Sequence, residues 1–138
     1  MRLTRAAEYA IRCVLFLSDR GEGRLVSKKE IAQAMEIPDQ YLGKIAQQLS
    51  RAGIIEILQG ARGGFRLVKP PSEISLLRVI EAIMGRIYLN DCILRPESCS
   101  KSESCAVHMV WEKARDQLRE TLDSARFSQL IQKEICRT

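Results

Sequence analysis

The segment DCILRPESCSKSESCAVH, residues 91–108, contains three of the five cysteines of this 138-residue chain and its only histidine. Six residues separate Cys92 from Cys99, five separate Cys99 from Cys105, and two separate Cys105 from His108. Most of the residues around them are Ser, Glu, Lys, Pro, Asp or Arg, so the thiols have fewer apolar neighbours than core cysteines have. Thiolates combined with an imidazole are typical ligands of zinc or of an iron–sulfur cluster.

The spacing favours an iron–sulfur cluster over a single zinc ion. Structural zinc sites typically use cysteine pairs roughly two to four residues apart, and this segment has wider gaps. Cys105 and His108 are one helical turn apart at the predicted start of a long helix, where the helix dipole stabilises a thiolate. Zinc held by the same four residues stays open as an alternative. A Cys–His nucleophilic pair would need a third, orienting group, which is not recognisable, so we predict that the chain is not an enzyme.

The positive charge is concentrated in the first half of the chain. The first 70 residues carry twelve Lys and Arg against seven Asp and Glu, so the whole net charge of +5 arises there. Such a basic half favours an anionic partner such as DNA. The longest apolar run, CVLFL, is far too short to cross a bilayer, and the N-terminus has no secretory cleavage site. We therefore expect a cytoplasmic protein with reduced thiols and no membrane partner.

The apolar periodicity predicts a mainly α fold that contains a winged helix-turn-helix domain with a small β-hairpin wing. A helix capped by Thr4, a second helix capped by Ser27 and a third from Pro38 to Gly53 precede a hairpin over residues 54–68, whose tip is Gly60 to Gly64. Further helices are predicted from a Ser75 cap to Gly85, from Cys105 to about Ala125, and near Leu130, where a short helix would pack against the long one. The predicted units are a DNA-binding domain over residues 1–85, a cysteine-rich cluster-binding loop over 86–104, and a dimerisation helix with a short C-terminal helix over 105–138.

The outward face of the third helix consists of side chains that can read base edges or hold phosphates. The predicted DNA-binding residues, on this helix, beside it and in the wing, are Lys28, Gln40, Tyr41, Gly43, Lys44, Gln47, Arg51, Gln59 and Arg62. The long helix has a seam in which the residues are mostly apolar, formed by Val107, Trp111, Ala114, Leu118, Thr121 and Ala125. A seam of this kind favours packing against a second copy, and a two-fold dimer would bind a palindromic operator on double-stranded DNA.

The order of MRLTRAAEYAIR, IAQAMEIPDQYLGKIAQQLSRAGII, QGARGGFRL, three cysteines and a histidine resembles the bacterial iron–sulfur cluster regulator and nitrite-sensitive repressor family of winged-helix transcription factors. The resemblance covers essentially the whole chain. Many relatives have arginine just before the first wing glycine, where this chain has Gln59, and Arg62 follows two residues after Gly60. The first cysteine gap is one residue longer than usual in the family.

This resemblance implies a cytoplasmic homodimer whose cluster changes its affinity for DNA, and it leaves repression or activation open. It implies cluster ligands at Cys92, Cys99 and Cys105, with His108 as the fourth ligand of a 2Fe-2S cluster. Relatives that sense nitric oxide hold 4Fe-4S clusters and use a carboxylate from the first helix, and Glu8 stands at that place. The alternative is a winged-helix regulator that binds zinc or no cluster and is controlled by a protein partner.

Overall fold

The computed structural model describes residues 2–87 and 106–132. The elements, in chain order, are α1 (Arg5–Arg20), α2 (Lys28–Met35), α3 (Asp39–Arg51), β1 (Ile55–Leu58), β2 (Gly64–Leu67), a 3₁₀ turn (Pro71–Glu73), α4 (Leu76–Met84), α5 (Ala106–Ser124) and α6 (Phe127–Leu130). Three helices followed by a two-stranded antiparallel hairpin form a winged helix-turn-helix unit. The predicted fold class is therefore confirmed, including the long helix near the C-terminus.

Three helices begin at the hydroxyl residues that the sequence predicts as N-caps, namely Thr4, Ser27 and Ser75. Each hydroxyl oxygen accepts a hydrogen bond from the backbone N–H three residues later, at 3.1–3.2 Å. A cap of this kind stabilises a helix by about 1 kcal/mol. The α1 and α4 helices end at Gly21 and Gly85, as predicted.

One main core joins the helix-turn-helix to the wing and to the last short helix. Its fully buried members include Ala10, Val14, Leu17, Ile31, Leu42, Ile45, Leu49, Ile54, Ile74 and Phe127. Phe127 belongs to α6, which packs mainly on α1 and on the 3₁₀ turn. The prediction that the last short helix packs against the long helix was wrong, because Phe127 of the short helix fills the core beside α1 instead.

The wing is fixed to the start of the helix-turn-helix. Strands β1 and β2 pair from Ile55↔Leu67 to Leu58↔Gly64, and Val26 forms a bridge to the outer side of β2. Val26 and Phe65 exchange two backbone hydrogen bonds, of 2.9 and 2.8 Å. Gly64 is part of β2 rather than of the hairpin tip. A side chain at that position would collide with the carbonyl of Val26, so the strand requires glycine there.

The long helix α5 has two different halves. Leu118 and Leu122, in its second half, pack against Leu77, Ile80 and Ile87. The first half exposes four large apolar side chains, those of Val107, Met109, Val110 and Trp111. The predicted seam is therefore divided between an intramolecular contact with α4 and a part that is exposed in the single chain. No helix within residues 2–87 and 106–132 is long and apolar enough to span a membrane.

Candidate nucleic-acid interface

The third helix presents the polar face that the sequence predicts. Its inward side is formed by the buried residues Leu42, Ile45, Ala46 and Leu49. The side chains of Gln40, Tyr41, Lys44, Gln47 and Arg51 are exposed, and Gly43 is half-buried. A helix with one fully buried side and one side of amides, cations and a phenol can enter a major groove without leaving apolar surface in water.

An open cleft of about 380 Å³ lies between the start of α2, the middle of α3 and the wing. Lys28, Gly43, Gln47 and Gln59 all line this cleft, so the structure brings together four of the residues predicted separately. Glycines 60, 63 and 64 form much of the wing side. The cleft is therefore the part of the molecule where helix and wing residues can act on one ligand.

Lys28 lies directly over the recognition helix at Gly43. A β-carbon placed on residue 43 would stand 3.1 Å from Nζ of Lys28 and 3.9 Å from its Cε. The glycine thus leaves room for the ammonium group to approach the helix backbone. Glycine in a helix interior lowers stability by about 1 kcal/mol relative to alanine, and the room that Lys28 needs explains why residue 43 is glycine nevertheless.

The tip of the wing carries the exposed side chains of Gln59 and Arg62. The turn is closed by a hydrogen bond from the N–H of Gly63 to the carbonyl of Gly60, at 3.0 Å. A side chain on residue 63 would collide with the carbonyl of Leu58. Glycine therefore allows a turn that holds Arg62 away from the core, where its guanidinium group can reach a partner.

Two residues of α1, Tyr9 and Arg12, connect this helix to α3 and α2. The ring of Tyr9 meets the ring of Tyr41 edge to face, with centroids 5.2 Å apart and planes inclined by 65°. The guanidinium carbon of Arg12 lies 5.5 Å from the centroid of Tyr9, and its Nη1 donates to the carbonyl of Met35 at 3.5 Å. These contacts join α1 to the first turn of α3 and to the end of α2. No local sequence pattern predicts them, because the partners are far apart in the chain.

The structure describes only the last three residues of the cysteine segment, Ala106, Val107 and His108. Cys92, Cys99 and Cys105 lie outside the described residues, so their convergence on a metal stays a prediction. His108 is in the first turn of α5 with 9% of its surface exposed, and its Nε2 is 3.4 Å from Oε1 of Glu112. Glu8 is exposed in the first turn of α1. Within the described residues, no three His, Cys, Asp or Glu side chains form a group that could hold a metal.

Cys13 is a thiol of a different kind. It is fully buried in α1, and burial raises the pKa of its thiol to about 12. A thiol with this pKa stays protonated at neutral pH and is a poor nucleophile and a poor metal ligand. This environment fits a structural role for Cys13 in the core.

The fold and the polar face of α3 define a winged helix-turn-helix protein, a class that contains many DNA-binding transcriptional regulators. The family model of the Rrf2 iron-dependent transcriptional regulators matches residues 3–133. The chain therefore belongs to the Rrf2 family, and the resemblance predicted from its motifs is confirmed.

Individual relatives agree with this assignment. The chain is 31% identical to the HTH-type transcriptional regulator NsrR of Geobacillus kaustophilus over 133 residues, which cover 96% of this chain and 90% of the relative. Its fold is similar to that of CymR, the global cysteine regulator of B. subtilis, with a TM-score of 0.80, 24% identity and coverage of 96% and 97% of the two chains. T. potens IscR is also similar, with a TM-score of 0.72, 23% identity and coverage of 96% of this chain and 87% of that chain.

Proposed function

We propose that this chain is a cytoplasmic, homodimeric repressor that binds a palindromic operator under the control of an iron–sulfur cluster. The observation that carries the DNA-binding part is the cleft in which Lys28, Gly43 and Gln47 meet the wing. Around it, the proposed DNA contacts are Lys28, Gln40, Tyr41, Gly43, Lys44, Gln47, Arg51, Gln59 and Arg62. The net charge of +5 that arises in the first 70 residues gives the attraction to the phosphate backbone.

Each part of this surface has a distinct role in the proposed complex. The amides of Gln40 and Gln47 can pair with base edges in the major groove, where Gln favours adenine. Lys28, Lys44 and Arg51 neutralise phosphates and fix the register of the helix. Arg62 at the wing tip reaches the flanking minor groove, which attracts a guanidinium group most strongly where it is narrow.

The first half of α5 supports the proposed dimer. Val107, Met109, Val110 and Trp111 have 53%, 67%, 60% and 37% of their surface exposed, and they are consecutive or nearly so on one helix. Covering a large apolar side chain contributes about 1.5–3 kcal/mol. We infer that a second copy of the chain covers them. The two DNA-binding domains of a two-fold dimer would then bind two half-sites, which is why the operator is proposed to be palindromic.

The donor set of residues 92–108 supports the proposed cluster. Three thiols and an imidazole suit an iron–sulfur cluster, with His108 as the proposed fourth ligand of a 2Fe-2S form and Glu8 as the alternative in a 4Fe-4S form. A carboxylate beside a ligating histidine orients its ring and raises its basicity, and the Glu112 contact with His108 suits this role. When bound, the cluster supplies a centre that redox change, nitric oxide or iron shortage can alter.

DNA binding is tested by fluorescence anisotropy with a fragment of the operator. Arg62→Ala and Lys44→Ala should each weaken binding by about 5- to 100-fold. Lys113→Ala removes an exposed cation from α5, a helix outside the helix-turn-helix and the wing, and should change the dissociation constant by less than about twofold. An unchanged affinity in Arg62→Ala at physiological salt would remove the wing from the interface.

The cluster is tested on protein purified without oxygen. We expect a visible absorption band together with iron and acid-labile sulfide, and loss of all three in Cys99→Ser. Cys136→Ser is the matched control, because it removes a thiol from outside the segment and should leave the colour unchanged. Colourless protein with one zinc per chain would refute the cluster and support the zinc-bound regulator instead.

A further inference from the structure

Glu81 on α4 connects three parts of the molecule through one carboxylate oxygen. Its Oε2 accepts a hydrogen bond from the N–H of Ile87 at 2.9 Å and also contacts Nη1 of Arg119 on α5. The side chains of Glu81 and Arg119 have only 23% and 29% of their surface exposed. Partial burial reduces screening by water, so this ion pair restrains the two helices more firmly than a fully exposed pair would.

The contact lies where the long helix leaves the DNA-binding domain. At the far end of α5, the N–H of Leu76 donates to the carbonyl of Ala125 at 2.9 Å, and that of Phe127 donates to the carbonyl of Ile74 at 3.1 Å. On either side of Arg119 in the chain, the side chains of Leu118 and Leu122 pack against the cluster of Leu77, Ile80 and Ile87. The first half of α5 carries the exposed apolar side chains of Val107, Met109, Val110 and Trp111. The Glu81–Arg119 ion pair is therefore a polar restraint between α4 and α5 close to the exposed first half of the long helix.

The length of α5 before Arg119 makes the angle between α4 and α5 important. From Arg119 back to Ala106 the helix spans about 20 Å, at about 1.5 Å per residue. A rotation of about 10° around Arg119 would displace the start of the helix by about 3.5 Å, which follows from this same rise per residue. One base-pair step along duplex DNA is about 3.4 Å. A small change in helix angle at the Glu81 contact thus corresponds to about one base-pair step in the distance between the two DNA-binding domains of the dimer.

We propose that Glu81 is a positioning residue that sets the half-site spacing this regulator accepts. It does not touch DNA. By holding Arg119 and Ile87 together, it fixes the angle between the DNA-binding domain and the first half of α5, which pairs with the second copy. This inference rests on the dimer of the proposed function. Ile87 lies only four positions before Asp91, the first residue of the cysteine segment, so the contact is close in the chain to the proposed cluster ligands.

The test uses operators with identical half-sites whose spacers differ by one base pair at a time. Wild-type protein should prefer one spacer. In Glu81→Gln the amide oxygen still accepts from Ile87, whereas the ion pair is lost, so the preference over the neighbouring spacers should fall on the order of fivefold. Binding to a single half-site should change by less than about twofold, because the reading face is unaltered.

Glu30→Gln is the matched control. It removes one carboxylate from the Arg20–Glu30 ion pair on α1 and α2, whose atoms are 3.1 Å apart, and should retain the wild-type spacer profile. If Glu81→Gln does not fold, Arg119→Gln breaks the same ion pair and leaves the Ile87 hydrogen bond in place. A dimeric variant with the wild-type spacer profile would overturn the role of Glu81 alone. A wild-type protein that is monomeric in sedimentation and binds isolated half-sites would overturn the dimer as well.

Discussion

The Gly43→Ala variant separates the stability of the recognition helix from its function. The new methyl group would stand 3.1 Å from Nζ of Lys28, which is the far end of a flexible, exposed side chain. The lysine can therefore move by a few tenths of an ångström at little cost. Replacing glycine by alanine in a helix interior gains about 1 kcal/mol, so the free energy of unfolding should rise by about 0.5–1 kcal/mol. The midpoint of thermal unfolding should rise by about 2–5 °C.

The same variant should bind DNA less well. Displacing the Lys28 ammonium from the cleft removes a phosphate contact, so affinity should fall by about 3- to 10-fold and the slope of log affinity against log salt should decrease by about one. The assay is anisotropy at several salt concentrations, with chemical denaturation on the same samples. In a Lys28→Ala background, Gly43→Ala should cost less than about twofold, because the displaced group is already absent.

Two results would refute this reasoning. If Gly43→Ala lowers the free energy of unfolding by more than about 1 kcal/mol, Lys28 cannot move aside as an exposed lysine should. If the variant is more stable and binds DNA with wild-type affinity and salt dependence, the ammonium group above Gly43 has no part in binding.

Three further predictions concern stability. Burial raises the pKa of Cys13 to about 12 from 9.0, so between these pH values the folded chain binds more protons than the unfolded chain. The free energy of unfolding should therefore fall by about 1.4 kcal/mol per pH unit above pH 9. Urea denaturation should show a steeper fall in the wild type than in Cys13→Ala. Glu36 ends α2 with φ 54°, so Glu36→Gly should raise the free energy of unfolding by about 0.5–1 kcal/mol, and a loss would contradict the left-handed geometry. Phe127→Ala should cost about 3–5 kcal/mol, whereas Val107→Ala on the exposed half of α5 should cost less than about 0.5 kcal/mol in the monomer, and equal effects would refute the assigned burial.

The sequence predicted the features that short segments specify by themselves. Thr4, Ser27 and Ser75 were predictable as caps because each bonds to an N–H only three residues away. The polar face of α3 was predictable because helical periodicity separates Tyr41 and Lys44 from the buried positions. The wing was predictable from a glycine-rich turn between β-branched runs.

The missed features all join distant parts of the chain. The contact between Tyr9 and Tyr41 and the one between Glu81 and Arg119, which are 38 residues apart, depend on how helices pack after they form. Helical periodicity shows which side of an element is apolar but not which neighbour covers it. The docking of Phe127 on α1 rather than on the long helix has the same origin. The cysteine ligands lie outside the described residues and stay predictions.

The double hydrogen bond between Val26 and Phe65 has a consequence for how this regulator can diversify. These hydrogen bonds attach the base of the wing to the residue just before the helix-turn-helix. Altering the strands of the wing would therefore disturb the recognition helix at the same time. The loop of residues 59–62 carries no such attachment to Val26. Replacing residues 59–62 by loops of other lengths and charges should therefore change the operator preference while leaving the helices and strands intact.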